Sequence, residues 1–401
     1  MSARDRERFK KLAIIMNSRK HPGTVGVLPA LFIAFAVLCQ TPPAIAGGPG
    51  SAGVQVLKTD MSPRAAGIGG AFVAVADDIY STNYNPAGLG QLYFPEASAM
   101  YLSGFDDSKL QYIAFGMPLP IQGLAGLDKP GIAISAIFSD SGKFVYSPIS
   151  NTGSVTPLTM DAENTRVISL SYGEKVYSDE VNIEGYKAKI DQYLGLSVKY
   201  IGSELLETYS ASALAFDGGW LIRDTNLGLT LGASLSNYGT GIQYFRETTP
   251  LPSILSMGIS YQRPTVMSQS VLLSVESDFY LNESLKSLRA GLEYHFQDVF
   301  NFRLGYKGLE DNKGATVGLG INYESFSLDL GMSMGGEVFN TTQLAFAYKF
   351  SNWRTPEQKY RPRYEFKDKA PRKAKPERSD NKKSGAPAKK QKTDSDFFWL
   401  Y

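Results

Sequence analysis

From about residue 190 to residue 350 the chain alternates apolar and small or polar residues in one short segment after another. Leu227, Leu229, Leu231, Ala233 and Leu235 are interleaved with Gly228, Thr230, Gly232 and Ser234. Leu288, Ala290, Leu292, Tyr294 and Phe296 alternate with Arg289, Gly291, Glu293 and His295. The same pattern recurs at 300–307, 316–323 and 326–333. Successive side chains of a strand point to opposite faces, so each segment is a strand with one greasy face and one polar face. Two all-β architectures carry such strands: a soluble sandwich with the greasy face inward, or a membrane barrel with it outward. The polar face here is rich in Gly and Ser, which suits a crowded or wet lumen. The 23 Tyr and 22 Phe gather toward the segment ends, as interfacial girdles do. The expected fold is therefore an all-β, antiparallel transmembrane barrel.

Fourteen segments qualify as strands: near 97–104, 109–117, 130–138, 165–173, 191–201, 209–222, 227–236, 254–262, 269–279, 287–296, 299–307, 315–323, 325–334 and 341–350. An even number brings both barrel ends to one side, the periplasmic side in an outer-membrane barrel. The short connections 223–226, 263–268, 297–298 and 324–325 fall on that side, and the long ones 139–164 and 237–253 on the other. The stretch 174–190 breaks this rule, being long yet nominally periplasmic. It requires either that the fourth and fifth strands run well beyond the bilayer or that the count fails there. The last strand ends in the alternating aromatics Phe346, Tyr348 and Phe350, a pattern read by the barrel-assembly machinery as an insertion signal.

The ends of the chain differ from its body. Residues 1–46 hold seven Lys/Arg against two Asp/Glu, an apolar run from Val25 to Leu38 and the small-x-small triplet Ala44-Ile45-Ala46. This is a secretory signal peptide, with an apolar run too short to anchor in a bilayer. Residues 351–401 hold fifteen Lys/Arg against seven Asp/Glu with almost no aliphatics, the composition of a disordered tail, until Phe397-Phe398-Trp399-Leu400-Tyr401. The 47–350 body is left with 41 − 7 − 15 = 19 basic and 39 − 2 − 7 = 30 acidic residues, a net charge of −11, which argues against nucleic-acid binding. The tail, expected in the periplasm, could engage a cell-wall polymer or a secreted protein.

Between signal and barrel, residues 47–94 are expected to form a hatch. Their Ala65-Ala66-Gly67 and Gly69-Gly70-Ala71 runs permit close backbone approach inside a narrow lumen, and Asn85-Pro86-Ala87-Gly88 re-aims the chain toward the first strand. Arg64-Ala65-Ala66-Gly67, the 71–78 run Ala-Phe-Val-Ala-Val-Ala-Asp-Asp and Asn85-Pro86-Ala87-Gly88-Leu89 resemble the N-terminal signature of the PorV/PorQ family, within the wider FadL-like group. Residues 237–243 with Pro250-Leu251-Pro252, and Glu293-Tyr294 with 303–306, extend the resemblance over about 52–350. It implies a fourteen-stranded barrel plugged by its N-terminal segment. It also implies one of two activities: passage of hydrophobic solutes across the outer membrane, or service as a shuttle or anchor in type IX secretion.

The hatch residues expected to set the plug are Asp77, Asp78, Asn83, Asn85, Pro86 and Gly88. The lumen charges Arg289, Glu293, Arg303 and Asp329 are expected to pair with one another and fix it. A turn that merely closes the barrel floor would use the same hatch residues. No catalytic residue, cofactor or metal is expected. After the signal the chain has no cysteine, and its one histidine, His295, lies in no hydrolase motif.

Overall fold

In a computed structural model, residues 47–104, 107–149, 153, 155–183, 186–264, 269–309, 312–335 and 340–351 are described. They belong to one compact unit. The signal segment and the basic tail, and every expectation placed on them, lie outside the described residues.

Sixteen strands follow one another: β1 (Glu96–Ser103), β2 (Lys109–Pro118), β3 (Gly131–Asp140), β4 (Lys143–Tyr146), β5 (Leu158–Asp161), β6 (Glu163–Ile183), β7 (Tyr186–Leu205), β8 (Tyr209–Asp224), β9 (Leu229–Gly239), β10 (Ile254–Pro264), β11 (Ser270–Tyr280), β12 (Lys286–Phe296), β13 (Phe300–Gly308), β14 (Gly314–Tyr323), β15 (Phe326–Met334) and β16 (Asn340–Lys349). Fourteen of them close into an antiparallel barrel, sealed where β1 pairs with both β2 and β16. Each lies on one of the fourteen alternating segments. β4 and β5 pair only with each other, as a hairpin inside the long 139–164 connection.

The irregular stretch 174–190 is resolved by strand extension. β6 and β7 are 21 and 20 residues long, against 8 to 16 for the other barrel strands. β3 leaves β6 at the Gly131–Gly173 pair, whereas the β6–β7 ladder runs on to Ile183–Tyr186. An arm thus rises from the rim at which β1 begins and β16 ends, here called the terminal rim.

Burial settles which face is which. On β13, Leu304 is 60% exposed while its neighbour Arg303 is 3% exposed. Ile113, Ile134, Leu170, Val198, Ile259, Leu319 and Phe346 are likewise exposed on their strands, while Ser98, Ser135, Ser169, Ser197 and Glu276 are buried. A barrel greasy outside and polar inside is a membrane barrel, because water would penalise its surface at about 25 cal/mol per Å² of apolar area.

Phe346 and Tyr348 join an outer aromatic cluster, with Phe326 5.6 and 4.7 Å away respectively and Phe350 4.7 Å from Tyr348. Glu96 and Lys349 pair at the terminal rim, as the even count requires. Gly47 instead lies at the opposite rim, where it bridges to Glu283 in the β11–β12 connection and accepts a hydrogen bond from Ser284 N at 3.0 Å. The expectation that both ends share a side therefore holds for the barrel strands but not for the start of the hatch.

A hatch wound around the inner wall as the candidate functional site

Residues 47–95 cross the lumen from the far rim to the terminal rim. They make only short turns of helix: Gln55–Lys58, Pro63–Gly67, Ser81–Tyr84 and Pro86–Gln91. Pro63 starts the second of these, where its missing N–H costs nothing, and Ser62 Oγ caps it by accepting from Ala65 N at 3.3 Å.

The segment follows the wall rather than filling the axis. On eleven of the fourteen barrel strands it meets a glycine whose missing side chain makes room for it. Pro63 lies against Gly331 of β15, Gly67 against Gly318 of β14, and Ile68 and Gly69 against Gly291 and Gly305 of β12 and β13. Val73 lies against Gly232 and Gly258 of β9 and β10, and Ile79 against Gly116 of β2. The returning chain places Asn85 at Gly219 of β8, Pro86 and Ala87 at Gly173 and Gly195 of β6 and β7, and Leu89 at Gly131 of β3. The remaining three strands touch it by hydrogen bonds. Tyr80 Oη and Ser98 Oγ of β1 are 2.5 Å apart, Glu276 of β11 accepts from Val73 N at 2.7 Å, and Gln343 of β16 donates to Asp60 O at 3.0 Å. The inward glycines of these eleven strands are thus the imprint of the hatch.

A chain of buried ion pairs fastens hatch to wall. Asp329 of β15 binds Arg303 of β13 at 2.5 Å, and Arg303 Nε binds Glu293 of β12 at 2.9 Å. Glu293 then takes Arg64 of the hatch through Nε and Nη2, each at 3.0 Å. Arg64 Nη1 reaches on to Asp77 at 2.5 Å and Asp78 at 3.0 Å. Burial pushes the Asp78 carboxyl, in the hatch and outside every strand, up to about 6; Arg64 pulls against this, while Asp77 and Glu96 add to it.

Three of the four expected lumen charges, Glu293, Arg303 and Asp329, thus meet each other and the hatch. Arg289 stands apart, bonded to Asp278 at 3.2 Å and 3.8 Å from Asp60. The residue at the centre, Arg64, was legible in the sequence only as part of the signature. Lys58, Asp60 and Lys307 gave no signal at all: Lys58 pairs with Glu283 and Lys307 with Asp60, contacts between residues more than 220 apart.

Asn85 is the pivot of the return crossing. It is fully buried, and its side-chain amide donates to Val73 O at 2.9 Å, Trp220 O at 3.2 Å and Ala233 O at 3.4 Å. Its Oδ1 accepts from Ala87 N at 3.2 Å, capping the turn that Pro86 opens. Gly88 packs against the carbonyl of Ala76, where a side chain would collide. Asn83 does not join this group: its amide donates to Thr82 Oγ1 at 3.3 Å, and it lines a small cavity beside the hatch. Replacing Asn85 by Ala should cost about 2–4 kcal/mol, because three buried carbonyls lose a shared donor. Faster amide exchange across residues 85–92, with the strand amides unchanged, is the expected measurement.

Two cavities flank the hatch segment Lys58–Asp60. The larger, about 510 Å³, opens on the far-rim side and mixes apolar groups (Val56, Leu102, Leu110, Tyr280) with polar ones (Lys58, Asp60, Lys109, Glu163). The smaller, about 60 Å³, lies beyond that segment against Lys199, Asn237, Glu276 and Arg289. β1, β2, β3 and β6 supply Met100, Leu102, Leu110, Tyr112, Ile137 and Val167 to one apolar cluster with Val54, Met61 and Ile79 of the hatch, while β11 to β15 carry the Asp278–Arg289 and Glu293–Arg303–Asp329 pairs and β7 and β8 the buried Lys199–Asp217 pair.

No described protein family and no curated protein matches the sequence. Among solved structures, the toluene transporter TbuX of Ralstonia pickettii is similar over 72% of this chain and 97% of its own, at 13% identity and a TM-score of 0.47. A Pseudomonas aeruginosa FadL homologue is similar over 72% and 98%, at 11% identity and a TM-score of 0.41. The P. putida toluene transporter TodX is similar over 68% and 94%, at 10% identity and a TM-score of 0.39.

Proposed function

We propose that this chain is an outer-membrane channel admitting small hydrophobic molecules, with the hatch as its closure. The apolar belt supports a bilayer location. The observation that carries the reading is the far-rim cavity of about 510 Å³, large enough for a small ligand, with Leu102, Leu110 and Val56 on its wall and the hatch as its floor. The hatch acts by its geometry, with no bond-making or bond-breaking step.

One observation favours a second reading, a permanently plugged scaffold of the secretion-associated type. The hatch touches all fourteen strands and is held by buried charges, an expensive way to fasten a moving part. Uptake of a labelled fatty acid by whole cells lacking their own transporter separates the two. A channel takes up label above barrel-free cells. In a scaffold the intact protein stays at the barrel-free level, and deletion of residues 61–90 opens a leak. Intact and deleted proteins both at the barrel-free level would end the channel reading.

A further inference from the structure

The connection between β2 and β3, residues 119–130, folds back over the outer face of β6 at the terminal rim. Ile168 and Leu170 of β6 are exposed, Ser169 and Ser171 are buried, and Gly173 meets Pro86 and Leu89 of the hatch. Tyr172 and Glu174 therefore point outward, on the same face as Ile168 and Leu170. Glu174 is nevertheless only 7% exposed, because the loop lies on it. Ala125 N donates to Glu174 Oε2 at 3.5 Å, Tyr172 Oη donates to the same oxygen at 3.2 Å, and a Cβ on Gly123 would collide with it. Asp128 pins the return of the loop by pairing with Lys175 at 3.2 Å.

The side of the loop turned away from Glu174 is apolar. From Leu119 to Leu127 there is no charged residue. Ile121 and Leu127 are exposed, and Leu124, at 92%, is the most exposed large apolar side chain among the described residues. These side chains continue a surface that already meets lipid. Phe115, near the end of β2 that leads into the loop, is exposed, and its ring lies 6.3 Å from that of Phe350. On β6 the apolar face runs through Leu170 to Tyr172, and Glu174 follows about 7 Å further along the strand.

We propose that this loop is a membrane anchor: Ile121, Leu124 and Leu127 enter the leaflet on the terminal-rim side, and the loop shields Glu174 from the acyl chains. The partner is bilayer lipid, met through its apolar interior and not through a headgroup charge. A carboxylate left facing hydrocarbon is costly, and the covering loop removes that cost. The anchor rests on the bilayer location of the apolar belt and is independent of what the barrel passes.

Three proteins test it, each with one introduced cysteine in a Cys39→Ser background carrying an environment-sensitive dye. They are Gln122→Cys in the loop, which keeps all three apolar side chains, Leu196→Cys in the belt and Glu180→Cys on the arm, all at exposed positions. The full chain is placed in vesicles of phosphatidylethanolamine and phosphatidylglycerol. Quenching by bromine on the acyl chains is compared with quenching by iodide present on both sides of the vesicle. We expect the loop label to follow the belt label, quenched by bromine and shielded from iodide, and the arm label to do the reverse. Adding Leu124→Asp to the loop-labelled protein should lower the ratio of inserted to free loop about tenfold or more, since one buried Leu is lost and a charge is added. An iodide-accessible loop label beside a bromine-quenched belt label, or no change on adding Leu124→Asp, would overturn the anchor while leaving the belt in the bilayer. A belt label that also escaped bromine would overturn the bilayer location itself. A loop label open to iodide in vesicles but shielded in outer-membrane fragments would give the loop a protein partner in place of lipid.

Discussion

Substituting Arg64 by Met should unseat the hatch while leaving the barrel closed. Arg64 sits between Glu293 and Asp77, which are buried, and Asp78, which is mostly so. Taking one partner out of a buried ion pair costs about 3–5 kcal/mol, because Asp77 and Asp78 lose the Arg64 charge in a low-dielectric site while Glu293 is left with Arg303. The population of released hatch should therefore rise between about a hundredfold and a few thousandfold. Two measurements read this: protease cleavage within residues 47–95 of detergent-solubilised protein, and ion conductance in planar bilayers. Arg64→Lys keeps a charge but cannot fork to Glu293 and the Asp77/Asp78 pair together, so it should fall between Met and wild type. Adding Asp78→Asn to Arg64→Met should recover part of the loss, since a carboxylate that Arg64 had paired is removed while Glu293 keeps Arg303. Wild-type conductance and protease resistance in Arg64→Met would show that shape alone holds the hatch.

Gly305→Val should have the second large effect. A Cβ at Gly305 would overlap the main chain at Ile68 and Gly69, where neither partner is the end of a flexible side chain. Gly69 adopts φ of +71°, a conformation that costs other residues, so the hatch cannot turn aside cheaply. Overpacking of this kind costs about 3 kcal/mol or more. The expected result is a protein that folds poorly or assembles with residues 47–95 outside the lumen, seen as a heat-modifiability change on gels and as new cleavage sites. Gly202→Val and Gly218→Val are the controls. Both glycines are in barrel strands, yet their Cβ positions meet only distant side-chain atoms at 3.8 and 4.0 Å. If all three variants behave alike, the row of inward glycines is a property of strand composition and not a seat for the hatch.

Much of the architecture was legible in the chain because a membrane barrel is written locally. Period-two alternation in β12 to β15 sets strand, face and register at once, since a shift of one residue would turn every apolar side chain into the lumen. Strand parity and connection lengths placed the rims. The exception at 174–190 pointed to an arm that does extend as β6 and β7. That Asn85-Pro86 redirects the chain was also readable, because an Asn before Pro favours an extended or turn conformation.

The partners of the charges were not readable. Glu293 and Arg303 face each other across one hairpin, and pairing them is a short inference from register. Arg64 to Glu293 spans 229 positions, Lys307 to Asp60 247, and Lys58 to Glu283 225, and no local pattern encodes such contacts. The separation of Arg289 from the Glu293–Arg303–Asp329 chain, and of Asn83 from Asn85, likewise follows from where the hatch lies once the barrel has closed.

By itself the sequence determined a fourteen-stranded barrel, greasy outside and small or polar inside, preceded by a segment of Ala and Gly able to enter it. Only the tertiary structure decided that this segment runs along the wall, that inward glycines make room for it, and that Arg64 pairs with Glu293 of the wall. The physical reason is range. Alternation is enforced residue by residue by lipid on one face, whereas the glycine seat and the ion pairs exist only after barrel closure brings eleven separate glycines and charges more than 200 positions apart to the same lumen.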